Sequence, residues 1–486
     1  MSTLNRFFKD TIIYGIAAVL PRAINILLVK LHTSTLQSDK YAENTIYFVY
    51  AAYFNAILTY GMETAFFRFF TKEKNKGKVI STTFISLLLT TLLFLFFMLL
   101  YSENLSAYFG FAEPLYFQIL ILVTTFDTLV VVPFAYLRVT NRPIKFAVYK
   151  VLNIVIYASI NLYFLLYIPY ALKNGNYVPA FINDHFHEHA LVIYIFIANL
   201  AASVVTFIIL SPILFKFQFS FDKKLLARML NYGLPLMIAG IAFITNENLD
   251  KLLMTKYLGK ETMGIYSACY KLGVFMTLYI MAFRLGAEPF FFNQAKKKNA
   301  KKVYAKILNW FTIIGSIILL TIIAYIDGFA NLLLGREEYF QGLKIVPIIL
   351  LANLFLGIYV NLAVWYKLTD KTKYGMYISL FGAFLTVIIN IVYLPKIGYM
   401  ASAWATLITY SVMVIISYYF GKKYYTIPYK IKNLFIYLFL STGFAYLSFV
   451  FFRGNLVIST LLIFGFIGFT AWNEKREIQQ FIENGR

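Results

Sequence analysis

The chain has 486 residues, 60% of them hydrophobic, and a formal net charge of +22. Such apolarity excludes an ordinary soluble domain. The positive charge does not point to a nucleic-acid partner, because most of the 44 Lys and Arg fall in alternate connections between apolar segments, as the orientation rule of polytopic membrane proteins expects.

A spanning helix needs about 20 mostly apolar residues. In chain order the pattern predicts fourteen such spans, at 8–31, 45–67, 80–101, 115–137, 146–168, 190–212, 230–254, 263–287, 306–326, 343–366, 375–394, 399–420, 433–452 and 455–472. The first carries Tyr14-Gly15, Pro21 and Arg22; it lacks a signal-peptide cleavage site and is expected to be retained. The second ends near Glu63 and Arg68, and Lys72, Lys74, Lys76 and Lys78 follow it. Asp127 lies at mid-depth in the fourth, before Arg138, Arg142 and Lys145. The seventh opens with Tyr232-Gly233, contains Pro235 and ends in Asn246-Glu247-Asn248-Leu249-Asp250-Lys251. The eighth holds Lys271 and the single cysteine, Cys269, so a disulfide within the chain is impossible. Clusters at Lys223, Lys224 and Arg228, at Lys296–Lys298 with Lys301 and Lys302, and at Lys422, Lys423, Lys430 and Lys432 continue the bias. Both termini are therefore expected to be cytoplasmic.

The chain echoes itself. Tyr14-Gly15 corresponds to Tyr232-Gly233, and Asn75-Lys76-Gly77-Lys78-Val79 to Asn299-Ala300-Lys301-Lys302-Val303. Six spans separate each pair, which implies a parallel repeat about an axis along the membrane normal. The expected fold is all-α and polytopic. It has two six-helix lobes, 1–212 and 230–420, joined by a cytoplasmic linker, 213–229, then two further transmembrane helices, 421–472, and a cytoplasmic tail, 473–486.

Ionised residues inside a bilayer cost about 2.5–3.5 kcal/mol on insertion scales and usually face a cavity or a partner. Arg22 lies roughly 21 Å along its helix from the inner end, too deep for simple snorkelling. It reads as a cavity-lining cation or as half of a structural pair with Asp127. Pro21 should kink the helix beside it. Asp250 and Lys271 sit at similar heights across the predicted hairpin, so Asp250 is expected to pair with Lys251 or Lys271, or to serve in gating or substrate contact. Glu247 is one turn before Lys251. Arg68, Lys150, Arg284 and Glu288 lie near inner ends, where snorkelling suffices, and Glu63 is one turn deeper and a candidate proton site. Asn25, Asn55, Asn153, Asn161, Asn199, Asn353, Asn361 and Asn390 read as interhelical hydrogen-bond partners. His185, His187 and His189 alternate in the outer loop; no other ligand cluster supports a metal there, and the reading is a solvated loop. No metal or cofactor is expected. The chain has no phosphate-binding G-x-x-x-x-G-K-[ST] loop, no H-E-x-x-H and no G-x-S-x-G. Its outer loops are slight for an intramembrane glycan polymerase or ligase.

Leu249-Asp250-Lys251-Leu252-Leu253 through Leu258-Gly259, then Met263-Gly264-Ile265-Tyr266-Ser267-Ala268 and Tyr270-Lys271-Leu272, resembles the span seven–eight hairpin of polysaccharide-transporter flippases. Pro395-Lys396-Ile397-Gly398-Tyr399-Met400-Ala401-Ser402-Ala403 is similar to that family's Pro-x-x-Gly-x-x-Gly-Ala-Ala, with Ala401 and Ser402 in place of Gly-Ala. Gly61-Met62-Glu63-Thr64-Ala65 and Arg68-Phe69 resemble its span-two end, and Pro289 before a Lys-rich loop also agrees. The resemblance is to the Wzx-type oligosaccharide flippase branch of the multidrug/oligosaccharidyl-lipid/polysaccharide exporter superfamily. It implies a monomeric transporter of the bacterial inner membrane that rocks its lobes, acts near polysaccharide polymerase or ligase proteins, and moves an undecaprenyl-diphosphate-linked oligosaccharide between leaflets. Arg22, Lys251 and Lys271 would then meet the diphosphate, and Asp127, Glu63, Glu247 and Asp250 are the candidate ion-coupling acids. A lipid II flippase and a cation-coupled multidrug exporter are the alternatives within the superfamily.

Overall fold

A computed structural model describes residues 3–214, 216, 220–295 and 297–484; Lys296 and Arg486 lie outside the described residues, as do the side chains of Tyr14, Glu288 and Pro289. Among the described residues the fold is all helix, with no strand. α1 (Thr3–Thr35), α2 (Ser38–Thr59), α3 (Met62–Lys72), α4 (Lys76–Leu100), α5 (Pro114–Leu129), α6 (Val131–Val139), α7 (Pro143–Leu162), α8 (Leu191–Leu214) and α9 (Lys223–Tyr270) come first. They are followed by α10 (Val274–Gln294), α11 (Ala300–Ala324), α12 (Val346–Leu362), α13 (Val364–Leu368), α14 (Lys373–Ile397), α15 (Met400–Tyr424), α16 (Ile431–Val450), α17 (Leu456–Asn473) and α18 (Lys475–Asn484).

Among the described residues, eleven helical stretches are long and apolar enough to cross a membrane. One of them, the 62-residue run Lys223–Arg284, holds two of the predicted spans. It is interrupted at Gly259, whose φ of 86° and ψ of 169° are closed to most side chains. The predicted first span falls on α1, and the second on α2 with α3. Those two are themselves separated by Tyr60 and Gly61, both at positive φ. All fourteen predicted spans thus lie on helix. The bilayer-facing surface is apolar where expected: Leu89, Leu93, Phe96 and Leu100 of α4 are all exposed.

The chain divides into two compact units, Met1–Ser267 and Ala268–Arg486. In the first, α1 packs on α7, α8 on α5 and α7, and α5 on α2 and α4. The arm of α9 up to Ser267 belongs to this unit and makes two close approaches, one to the start of α2 and one to the α2–α3 junction. A Cβ on Gly61 would lie 2.2 Å from the Gly233 carbonyl oxygen, and one on Gly264 would lie 1.8 Å from the Ser38 carbonyl oxygen. Without a hydrophobic drive between helices in lipid, such small-residue contacts supply association through dispersion. The start of α9 is fixed by Asp222, whose Oδ1 accepts from the N–H groups of Lys224 and Leu225. Its Oδ2 meets Lys78 Nζ, at the start of α4, at 2.8 Å.

In the second unit α11 is the hub, packing on α10, α12, α16 and α17, while α15 lies against α12 and α14. Polar seams join helices in both units at several of the expected asparagines, whereas Asn361 Nδ2 donates to the Gly357 carbonyl of its own helix. Asn153 Nδ2 donates to Thr206, His32 pairs with Asn161, Asn353 Nδ2 donates to the Gly273 carbonyl, and Ser402 donates to Asn390.

Candidate functional site

Three acids sit inside the first unit, each in a different environment. Asp250, on α9, is sealed. Lys251 Nζ lies 3.1 Å from its Oδ1, and Tyr266 donates to its Oδ2 at 2.7 Å. Lys251 Nζ also donates to the Glu247 carbonyl at 2.6 Å. The lysine and aspartate side chains are only 8% and 3% exposed, so this is a buried pair with its hydrogen bonds supplied. The partner left open by the sequence is Lys251. Lys271 sits in the short turn Lys271–Gly273, exposed and in the second unit.

Asp127, on α5, does not pair with Arg22. Its Oδ1 accepts from Ser203 of α8 at 2.7 Å, and Asn55 and Lys150 are its further polar neighbours. Lys150 therefore does more than reach for the inner surface. Its ammonium lies near Asp127 and 4.2 Å from the centre of the Phe134 ring. Glu63 forms an exposed 2.8 Å pair with Arg138, and the Arg68 guanidinium stacks 4.2 Å over Tyr232.

Arg22 is exposed on α1, which continues as helix through Pro21. Among the described residues no acid or hydrogen-bond acceptor holds its guanidinium. Of the two sequence readings for Arg22, the paired one is not formed.

The third acid, Glu43, escaped the sequence reading. It is 3% exposed at the start of α2, and its Oε1 lies 3.3 Å from both Lys40 and Lys260. The partners are 217 residues apart, and the nearest hint in the sequence is Leu258-Gly259-Lys260, where a lysine follows the glycine that breaks the helix. Arg284, expected only to snorkel, lines a narrow cleft in the second unit together with Lys367, Phe283 and Phe291. In the outer loop His185 Nδ1 is engaged by the Phe181 carbonyl, and among the described residues no three His, Cys, Asp or Glu side chains come together as a metal site.

The charge pattern and the long apolar helices define a multi-pass membrane protein. Comparison with known proteins places its fold. A family model described as MatE matches residues 235–392. A second, described as "Polysaccharide biosynthesis protein", matches residues 36–284, more than half of the chain. Lipid II flippase MurJ in an inward closed conformation superposes with a TM-score of 0.75 at 16% identity, covering 96% of this chain and 100% of that one. An inward-facing multidrug resistance MATE family transporter gives 0.61 at 14% identity, covering 86% and 96%. A transporter of the same superfamily from Pyrococcus furiosus, described as having a binding pocket of reverse polarity, gives 0.58 at 14% identity, covering 88% and 96%. Comparison with curated protein sequences finds no match. The fold is that of the multidrug/oligosaccharidyl-lipid/polysaccharide exporter superfamily. Within it, the chain belongs to the polysaccharide biosynthesis protein family.

Proposed function

We propose that the protein turns a polyprenyl-diphosphate-linked oligosaccharide from the cytoplasmic to the outer leaflet of a bacterial inner membrane, with both termini cytoplasmic. The observation that carries this reading is the contrast between Arg22 and the interior acids. Asp250 and Glu43 are held by lysines and Asp127 has a lysine beside it, whereas Arg22 has no acid partner among the described residues. An uncompensated guanidinium in a span is costly, and a passing diphosphate with about two negative charges repays that cost through bidentate hydrogen bonds. A cationic drug would be repelled by the same group, which argues against the multidrug reading.

The lobes 1–212 and 230–420 would rock, exposing the headgroup path to each side in turn while the polyprenyl tail stays in lipid. Lys271 is a second contact for the diphosphate. Lys251 reaches substrate only when Asp250 releases it. Asp127, next to Ser203 and Lys150, is the first candidate for ion coupling, ahead of Glu63, Glu247 and Asp250. The flippase is expected to work as a monomer near the proteins that polymerise or ligate the glycan. The MurJ superposition favours one second reading, lipid II as substrate. Vesicles loaded separately with lipid II and with a lipid-linked oligosaccharide distinguish the two by which headgroup reaches the far leaflet.

A further inference from the structure

A groove of about 620 Å³ runs between α10 and α11 in the second unit, and none of the residues assigned to transport lines it. Its walls are apolar, with Tyr279, Phe290, Ile307 and Ile314 among them, and Lys306 and Glu477 stand at its charged end. Lys306 and Trp310 are one helical turn apart on α11, the pairing of cation and indole that marks a headgroup level. Glu477, on α18, uses Oε1 for Lys430 at 2.9 Å and for Lys306 at 3.9 Å. Its Oε2 is buried and receives no hydrogen bond from any described residue. The neighbouring acid Glu474 is different: Asn309, Asn433, Tyr437 and Lys430 all donate to it.

An apolar trough alone takes any acyl chain. The charged end is more selective. It offers a half-exposed ammonium for a phosphate and, one contact away, a carboxylate oxygen to which no described residue donates. The geometry points to a binding site for an aminophospholipid, with its phosphate on Lys306, its primary ammonium on Glu477 and one acyl chain in the groove. Such a lipid would brace α18 against α10 and α11. A buried acceptor without a donor is costly, and a lipid headgroup with three N–H bonds relieves it where a glycerol headgroup supplies only neutral hydroxyls.

Trp310 lines the groove and reports on it. The full-length protein is reconstituted in phosphatidylcholine, and phosphatidylethanolamine or phosphatidylglycerol with brominated chains is titrated in. Quenching is read as the difference between wild type and Trp310→Phe. Phosphatidylethanolamine should reach half-quenching at a mole fraction about tenfold below phosphatidylglycerol. Glu477→Gln should abolish that preference, and Lys306→Gln should weaken both lipids. A parallel titration with the N-trimethylated headgroup, which has no N–H, should resemble phosphatidylglycerol and needs no variant to fold. Equal quenching by the two lipids in wild type, or a preference that survives Glu477→Gln, overturns the assignment. Displacement of phosphatidylethanolamine by polyprenyl phosphate at equal concentration also overturns it, because the groove would then belong to the substrate path.

Discussion

A guanidinium inside a span is costly and usually faces a cavity or a partner. Arg22→Ala should abolish flipping in reconstituted vesicles while insertion and folding survive. Arg22→Lys should retain part of the rate, since the charge remains but the two-pronged hydrogen bonding to a phosphate does not. Flipping by the alanine variant at the wild-type rate would remove Arg22 from the substrate path. The opposite logic governs Asp250. Asp250→Asn strands the buried Lys251 ammonium and should cost about 3–5 kcal/mol of stability, whereas Asp250→Asn combined with Lys251→Met should recover most of it. Thermal unfolding in detergent reads both variants. A single variant as stable as wild type would show that the pair is not buried as described.

At the scale of elements, α9 is placed by two glycine close approaches. Gly264→Ala places a methyl 1.8 Å from the Ser38 carbonyl oxygen, so α9 and α2 must separate. Lowered thermal stability together with faster labelling of a cysteine introduced at Ser38 is the expected outcome, and wild-type labelling would contradict the crossing. The start of α9 responds to acid. The Lys78 ammonium, with the Leu225 and Lys224 N–H groups, holds the Asp222 carboxyl down to about 2. Its folded-state value is below the unfolded one, so the contribution is present above about pH 4 and is lost as pH falls toward 2. Asp222→Asn should flatten the stability profile in that window, and an unchanged acid profile would discount the contact. The spans themselves were legible in the sequence because bilayer thickness fixes their length and apolarity, a local property. The break at Gly259 falls in the connection expected between the seventh and eighth spans. The one at Tyr60-Gly61 lies inside the predicted second span and was not legible, since a glycine in an apolar run gives no sign of whether the chain turns there. The partners of Asp127, Lys150 and Glu43 were hidden for a different reason. Ser203 and Asn55 come from other spans and Lys260 from the connection after the seventh, and no periodicity along one helix encodes which face meets which.

For the whole molecule, the fold is an exporter scaffold shared by carriers of different cargo, so the substrate must be read from the charges it would meet. The acids Glu43, Asp127 and Asp250 each lie beside lysine, and Arg22 has no acid partner among the described residues, an arrangement suited to an anionic headgroup. The most direct test is a flipping assay with purified protein in vesicles, with a fluorescent undecaprenyl-diphosphate-linked oligosaccharide in the inner leaflet and a quencher outside. Wild type should expose the headgroup to the quencher, should do so far less with Arg22→Ala, and should move no cationic dye in parallel vesicles. Transport of the dye without movement of the lipid-linked glycan would contradict the account.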